Sequence, residues 1–266
     1  MTWSSLKISS AARAIIMQTA AAMVVLTGSP NLLNAGELRV LSAASIQQVF
    51  KQVLGDFEQT SGHRIILHYA TMGAITERVR NGEQADLVIS SRQSIGALLH
   101  EQKIEAGSQS SISKVGVGVV VAAGSPAPVI ATIEDFGRTL AAATTIVYAD
   151  PDRGGAAGIH IARVIERLGL ADRLKPKTVL AAGGDVTEVT LSKGEGAVGL
   201  TQISEILGKP GAVFAGPLPR ALQNYTMFAS GRPVGAQHPE IADALLAFLK
   251  SPAGIAAMKA TGMEVD

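Results

Sequence analysis

The sequence predicts an α/β protein of two lobes, each a mostly parallel sheet flanked by helices, with a ligand cleft between them. Three observations predict it. From Glu37 onward, short apolar runs alternate with longer stretches whose apolar residues recur at helical spacing. A valine-rich run, Lys114 to Ala123, is long enough to pass from one lobe to the other. Finally, one kind of junction recurs four times: a strand ending in small residues runs straight into a helix.

The elements follow in order. Leu38 to Leu41 is a short apolar strand. Ile46, Val49, Phe50, Val53, Leu54 and Phe57 share one face of a helix over 45–59, which Ser61-Gly62 stops. Ile65-Ile66-Leu67 centres a strand over 64–69, and a helix follows Ala70-Thr71-Met72-Gly73 as far as Asn81-Gly82. A strand over 86–90 and a helix over 94–102, with Ile95, Leu98 and Leu99 on one face, complete the first series. After the valine-rich strand, Gly124-Ser125-Pro126 ends the run. The second series then reads as helix 133–142, strand 145–149, helix 155–168, strand 178–180, helix 186–192, strand 197–200 and helix 202–207. Val213-Phe214 is the expected start of the return crossing, placing the two crossings near 112–118 and 210–226. Pro239 and Pro252 each suit the first turn of a closing helix.

Composition narrows the function. The chain has 266 residues, 47% of them hydrophobic but only 4% aromatic, and a formal net charge of +1. No basic run or basic stripe interleaved with aromatics is present, which argues against nucleic acid. There is no cysteine, hence no disulfide, thiolate metal site or thiol nucleophile. His63, His68, His100, His160 and His238 lack metal-ligand spacing, and no metal or cofactor is expected. Gly116-Val117-Gly118 lacks the third glycine of a dinucleotide fingerprint, and no phosphate loop or nucleophile elbow occurs. At the start, Lys7 and Arg13 precede an apolar segment, Ala14 to Leu26, and Leu33-Asn34-Ala35 offers a cleavage point. This pattern is that of a secretory signal peptide over residues 1–35 and implies a periplasmic protein.

The junctions are Ala43-Ala44-Ser45, Ala70-Thr71-Met72-Gly73, Asp152 to Gly158, and Gly183-Gly184-Asp185-Val186-Thr187. In an open α/β sheet, such strand ends form the ligand crevice. Helix N-termini present unpaired N–H groups and a positive dipole end, so four of them facing one another suit an anion.

With these motifs the chain resembles the molybdate-type periplasmic solute-binding proteins of ABC importers. The resemblance is carried by Ala43-Ala44-Ser45; by Gly82-Glu83-Gln84-Ala85-Asp86-Leu87-Val88-Ile89-Ser90, close to the family's Gly-Ala-Pro-Ala-Asp-Leu-Phe-Ile-Ser; and by Asp150-Pro151 with Ala156-Ala157-Gly158. Gly199-Leu200, Phe248 to Pro252 and Gly262-Met263 extend it over residues 37–262. It implies two lobes: 36–114 with 213–266, and 115–212. It implies a tetrahedral oxyanion held between them by neutral donors, and an inner-membrane permease as partner of a monomer. The implied ligand-binding residues are Ser45, Thr71, Met72, Ala157, Val186 and Gln202, with no catalytic residue implied; Ala44 and Gly73, in the first two junctions, are candidates beside them.

Three positions depart from the family pattern. Thr71-Met72 stands where the family has two serines, Gln202 where it has a tyrosine, and Asp185 beside the donor at Val186. An Asp near an anion suits a ligand that carries a proton. Arg153, beside the third junction, suits a ligand carboxylate held bidentately. The leading expectation is therefore a molybdate- or tungstate-like oxyanion delivered to a permease. The alternative is a periplasmic isomerase or binding protein for a small aconitate-like polycarboxylate, with Asp185, His160 or Glu188 as proton-transfer base and Arg153 as carboxylate clamp.

Overall fold

The computed structural model describes residues 35–265. Apart from Ala35, the expected signal peptide over 1–35 lies outside the described residues. The chain begins with β1 (Glu37–Ala43), a 3₁₀ turn over Ala44–Ile46, α1 (Gln47–Ser61), β2 (Arg64–Ala70), α2 (Met72–Arg80), β3 (Leu87–Ser91) and α3 (Arg92–His100). The long β4 (Ser110–Ala122) leads to α4 (Ile133–Ala142), β5 (Thr145–Ala149), α5 (Ala156–Arg167), α6 (Ala171–Leu174), β6 (Thr178–Ala181), α7 (Val186–Lys193) and β7 (Ala197–Gln202). It closes with β8 (Ala212–Pro217), β9 (Tyr225–Gly231), α8 (Pro239–Leu249) and α9 (Pro252–Ala260).

The nine strands of the described residues belong to one continuous, mixed sheet ordered β2-β1-β3-β9-β4-β7-β5-β6, with β8 also on β4. Its two ends are parallel: β1 lies between β2 and β3, and β5 between β6 and β7. The middle is antiparallel, and β4 joins the halves. Its residues Ser110–Gly116 pair with β9, while Val117–Ala122 pair with β7 and β8.

Each end of the sheet is covered on both faces. Successive strand residues point to opposite sides, so Val40 joins Phe50, Phe57, Phe228 and Leu245 in one core, whereas Leu41 joins Ile75, Val88 and Ile95 in another. In the second half, Ile146 packs with Phe136, Ile161 and Leu200, and Val147 with Ala149, Ala181 and Val186. Burial on both faces is why these strands read as continuous apolar runs rather than alternating ones.

The motif over 82–90 has a structural explanation. Asp86 is buried, and its carboxylate accepts backbone N–H bonds from Arg39 (2.9 Å), Gln237 (2.9 Å) and His238 (3.2 Å). One side chain thus ties β1, the entry to β3 and the start of α8 together.

Two segments differ from expectation. The helix expected over 202–207 is only a 3₁₀ turn, Ile203–Glu205, because Gly208 at φ +80° and Pro210 close it. Val213 and Phe214 do not begin the return: they lie in β8, against Val120 and Val121 of β4. The return strand is β9, whose Thr226, Ala229 and Ser230 dilute the apolar signal a buried strand normally carries.

Candidate functional site

The strand ends meet around a small, partly open cavity of about 30 Å³. Its wall is built from five strand exits: Ala43–Ser45 after β1, Ala70–Met72 after β2, Ala149 with Gly155–Ala157 around the start of α5, Gly183–Gly184 before α7, and Thr201, Gln202 and Glu205 after β7. First-turn amides of a helix have no intrahelical acceptor, so the starts of α2 and α5 bring positive dipole ends to this space; in α2 the Gly73 and Ala74 N–H groups are already taken by the Gly154 carbonyl and the Thr71 hydroxyl, which leaves that of Met72. The start of α5 can lie this low because Gly158 packs on β5; a Cβ there would sit 2.0 Å from the Ala149 carbonyl oxygen. Among the residues lining the cavity, no side chain is cationic.

Beside the cavity the two halves of the sheet touch directly. Thr71 donates its hydroxyl proton to the Arg153 carbonyl (2.6 Å), and the Gly73 N–H donates to the Gly154 carbonyl (3.2 Å). The backbones at Gly73 and Gly154 are so close that a Cβ on Gly73 would lie 2.9 Å from the Gly154 Cα.

Ala44, Ser45, Thr71, Met72, Ala157 and Gln202 line the cavity together. Gly73 and Arg153 lie outside it, in an open groove shared with Tyr69, Asp152 and Gly154. Asp185 turns back on its own loop, accepting from the Gly183 N–H at 2.8 Å. Val186 buries its side chain in the core against Val147 and Ala181. Of the other suggested bases, His160 bonds the Leu222 carbonyl through Nε2 (2.7 Å), and Glu188 pairs with Lys209. Among the described residues, no group of three His, Asp or Glu is placed to hold a metal.

The sequence reasoning missed Glu205. It accepts hydroxyl protons from Ser45 (3.1 Å) and from Thr201, and its backbone carbonyl accepts from Thr187 (2.8 Å). Desolvation pushes its carboxyl above the usual range, opposed in turn by the Thr201 and Ser45 hydroxyls and by Lys209. Gln202, 2% exposed, donates through Nε2 to Thr226 (2.8 Å), and its carbonyl oxygen has no protein partner. A fifth junction following β7 was the available signal, hidden by reading 202–207 as an ordinary helix.

This arrangement, an α/β sheet in two halves with helix starts converging on a cavity between them, is that of a solute-binding protein. The chain belongs to the family described as bacterial extracellular solute-binding protein, whose model matches residues 38–264. Its fold is similar to that of the periplasmic molybdate-binding protein of Azotobacter vinelandii, with a TM-score of 0.73 at 19% identity over 86% of this chain and 99% of that one. It is also similar to the sulfate-binding protein SubI of Mycobacterium tuberculosis, with a TM-score of 0.68 at 16% identity over 87% and 88% of the two chains. By sequence it is 27% identical over 233 residues to an aconitate isomerase of a Pseudomonas species, covering 85% of this chain and 87% of that protein.

Proposed function

We propose that the protein is the exported solute-binding component of an ABC importer and that it carries a small tetrahedral oxyanion in the cavity between its lobes. The observation that supports this most is the lining itself: converging helix starts, no side-chain cation, and room for only a few heavy atoms. Such a site holds an anion with fixed backbone dipoles. A lobe of residues 36–114 with the C-terminal return would close on a lobe beginning at 115. Because β8 pairs with β4, we place the end of the second lobe after β8 and not at 212. The hinge is then the β4–β9 pair, and the closed form is what a permease in the inner membrane would recognise, the protein itself acting as a monomer. Export through the signal peptide over 1–35 completes this reading.

A second reading rests on Glu205 together with the aconitate isomerase relative. A carboxyl at the ligand that can take and return a proton is what an isomerase of a small polycarboxylate needs. Against it, a trianion would meet an acidic side chain and no cation inside the cavity.

A thermal-shift panel separates the two. Molybdate, tungstate, sulfate and phosphate are compared with citrate and aconitate, each in large excess. A ligand at ~1,000 times its Kd adds about 4 kcal/mol, roughly 8–16 °C for a chain of this size. Shifts with the inorganic anions alone uphold the first reading. A shift with aconitate alone, with turnover lost in Glu205→Gln, replaces it with the second.

A further inference from the structure

Two residues that line the cavity carry acceptor groups, and acceptors are unusual in an anion site. One is the Gln202 carbonyl oxygen, which has no protein partner in a side chain 2% exposed. The other is the Glu205 carboxyl, the one acidic side chain in the lining. The hydroxyls nearest to it do not serve the cavity. Ser45 and Thr201 both direct their protons onto Glu205. The charged groups facing Glu205 are Lys209, further along its own segment, and Glu188 on α7. These two pair with each other, so they add little net charge at the carboxyl. An anion entering this cavity therefore meets backbone N–H groups on several sides and a carboxyl on one.

We propose that Glu205 and the bound anion share one proton, and that the ligand class is an oxyanion carrying an ionisable O–H, such as hydrogen phosphate. This rests on the reading of the cavity as an anion site. A ligand O–H donates to the Glu205 carboxylate or to the Gln202 carbonyl, which fills the vacant acceptor and replaces repulsion by a charge-assisted hydrogen bond. A fully deprotonated tetrahedral anion has no proton to offer. It binds only after Glu205 has taken one from solvent, and the carboxylic acid then serves as donor. Gln202 fits both cases, because turning its amide presents NH₂ instead, with the Thr226 hydroxyl switching from acceptor to donor.

The test is calorimetric titration of the purified chain with sulfate and with phosphate between about pH 5 and pH 9. Two buffers of different ionisation enthalpy are used, so that proton uptake is read directly. Sulfate affinity is expected to fall ~10-fold per pH unit above the Glu205 pKa, with uptake approaching one proton per anion. At the alkaline end of the range phosphate, which brings its own proton, is expected to bind more tightly than sulfate by the factor that sulfate has lost. Glu205→Gln is expected to abolish the sulfate pH dependence and to narrow the phosphate preference. Sulfate affinity that is flat across the range with no proton uptake by the wild-type chain overturns the proposal, whatever the variant does. Failure of both anions, and of molybdate and aconitate, to bind at any pH overturns the reading of the cavity itself. Tight binding of aconitate alone overturns the ligand class while leaving the cavity as the site.

Discussion

Gly73→Ala separates the lobe closure proposed above from folding. Gly73 is the second residue of α2, in helical conformation, so alanine is tolerated by the helix and is the better helix former by up to about 1 kcal/mol. In this structure the added Cβ would lie 2.9 Å from the Gly154 Cα and 3.3 Å from the Arg153 carbonyl oxygen. Both are backbone atoms and cannot swing away. Relief requires the lobes to part locally, which stretches the Gly73–Gly154 bond at 3.2 Å and the Thr71–Arg153 bond at 2.6 Å. Each is worth about 0.5–1.5 kcal/mol net, so the closed state loses about 1–3 kcal/mol relative to the open one. Ligand affinity should then drop roughly 5- to 150-fold, while the melting temperature without ligand stays the same or rises. Calorimetric titration and thermal melts on the same preparation measure both. Unchanged affinity would refute the argument that the Gly73–Gly154 contact is part of closure, and a large fall in unliganded stability would show that it belongs to folding instead.

Two further outcomes concern stability. Burial raises the Glu205 carboxyl above its unfolded value near 4.5, so its contribution is intact below that pH and is lost as pH rises through the folded value. The melting temperature of Glu205→Gln should therefore match wild type near pH 4 and exceed it near pH 8. The gap should be about 3–5 °C for every tenfold by which folding tightens the carboxyl's hold on its proton, and a gap that does not grow with pH contradicts this. Asp86→Ala strips the acceptor from three backbone N–H groups and should cost about 3 kcal/mol or more in denaturant unfolding, without altering the affinity of protein that remains folded.

What was legible in the sequence is what local periodicity records. Val49, Phe50, Val53 and Phe57 mark the buried face of α1, and the helix over 133–142 and the strand over 145–149 coincide with α4 and β5. Junctions made of small residues were legible too, because only a tight strand-to-helix turn explains Ala-Ala-Ser or Gly-Gly-Asp after an apolar run. What stayed hidden depends on partners distant in sequence. β9 lacks a strong apolar signal, and its identity as the central return strand comes from pairing with β3 and β4. Glu205 carries no local signal of its own within the segment over 202–207. Its meaning comes from Ser45, 160 positions earlier, which folding brings to its carboxyl. Arg153 and Asp185 had the right chemistry in the right junctions, yet one lines an outer groove and the other is bound to its own loop.

The same geometry changes what Ser45 is expected to do. The family resemblance assigns this hydroxyl to the ligand, but it has one proton, and that proton is directed at Glu205. Thr71 is similarly committed, donating to Arg153 while accepting from the Ala74 N–H at 3.2 Å. If Ser45 acts through Glu205, then Ser45→Ala removes a hydrogen bond that favours the carboxylate, and the carboxyl titrates at a higher pH than in wild type. Sulfate binding near pH 5 should stay within about threefold of wild type, and the point at which affinity begins to fall should move upward. If Ser45 instead donates to the ligand, truncation costs about 1.5–3 kcal/mol at every pH, the worth of a hydrogen bond to a charged group. Affinity would then fall some 10- to 150-fold without any movement of the pH profile. A titration of the variant across that range decides between a hydroxyl that tunes the acid and one that holds the anion.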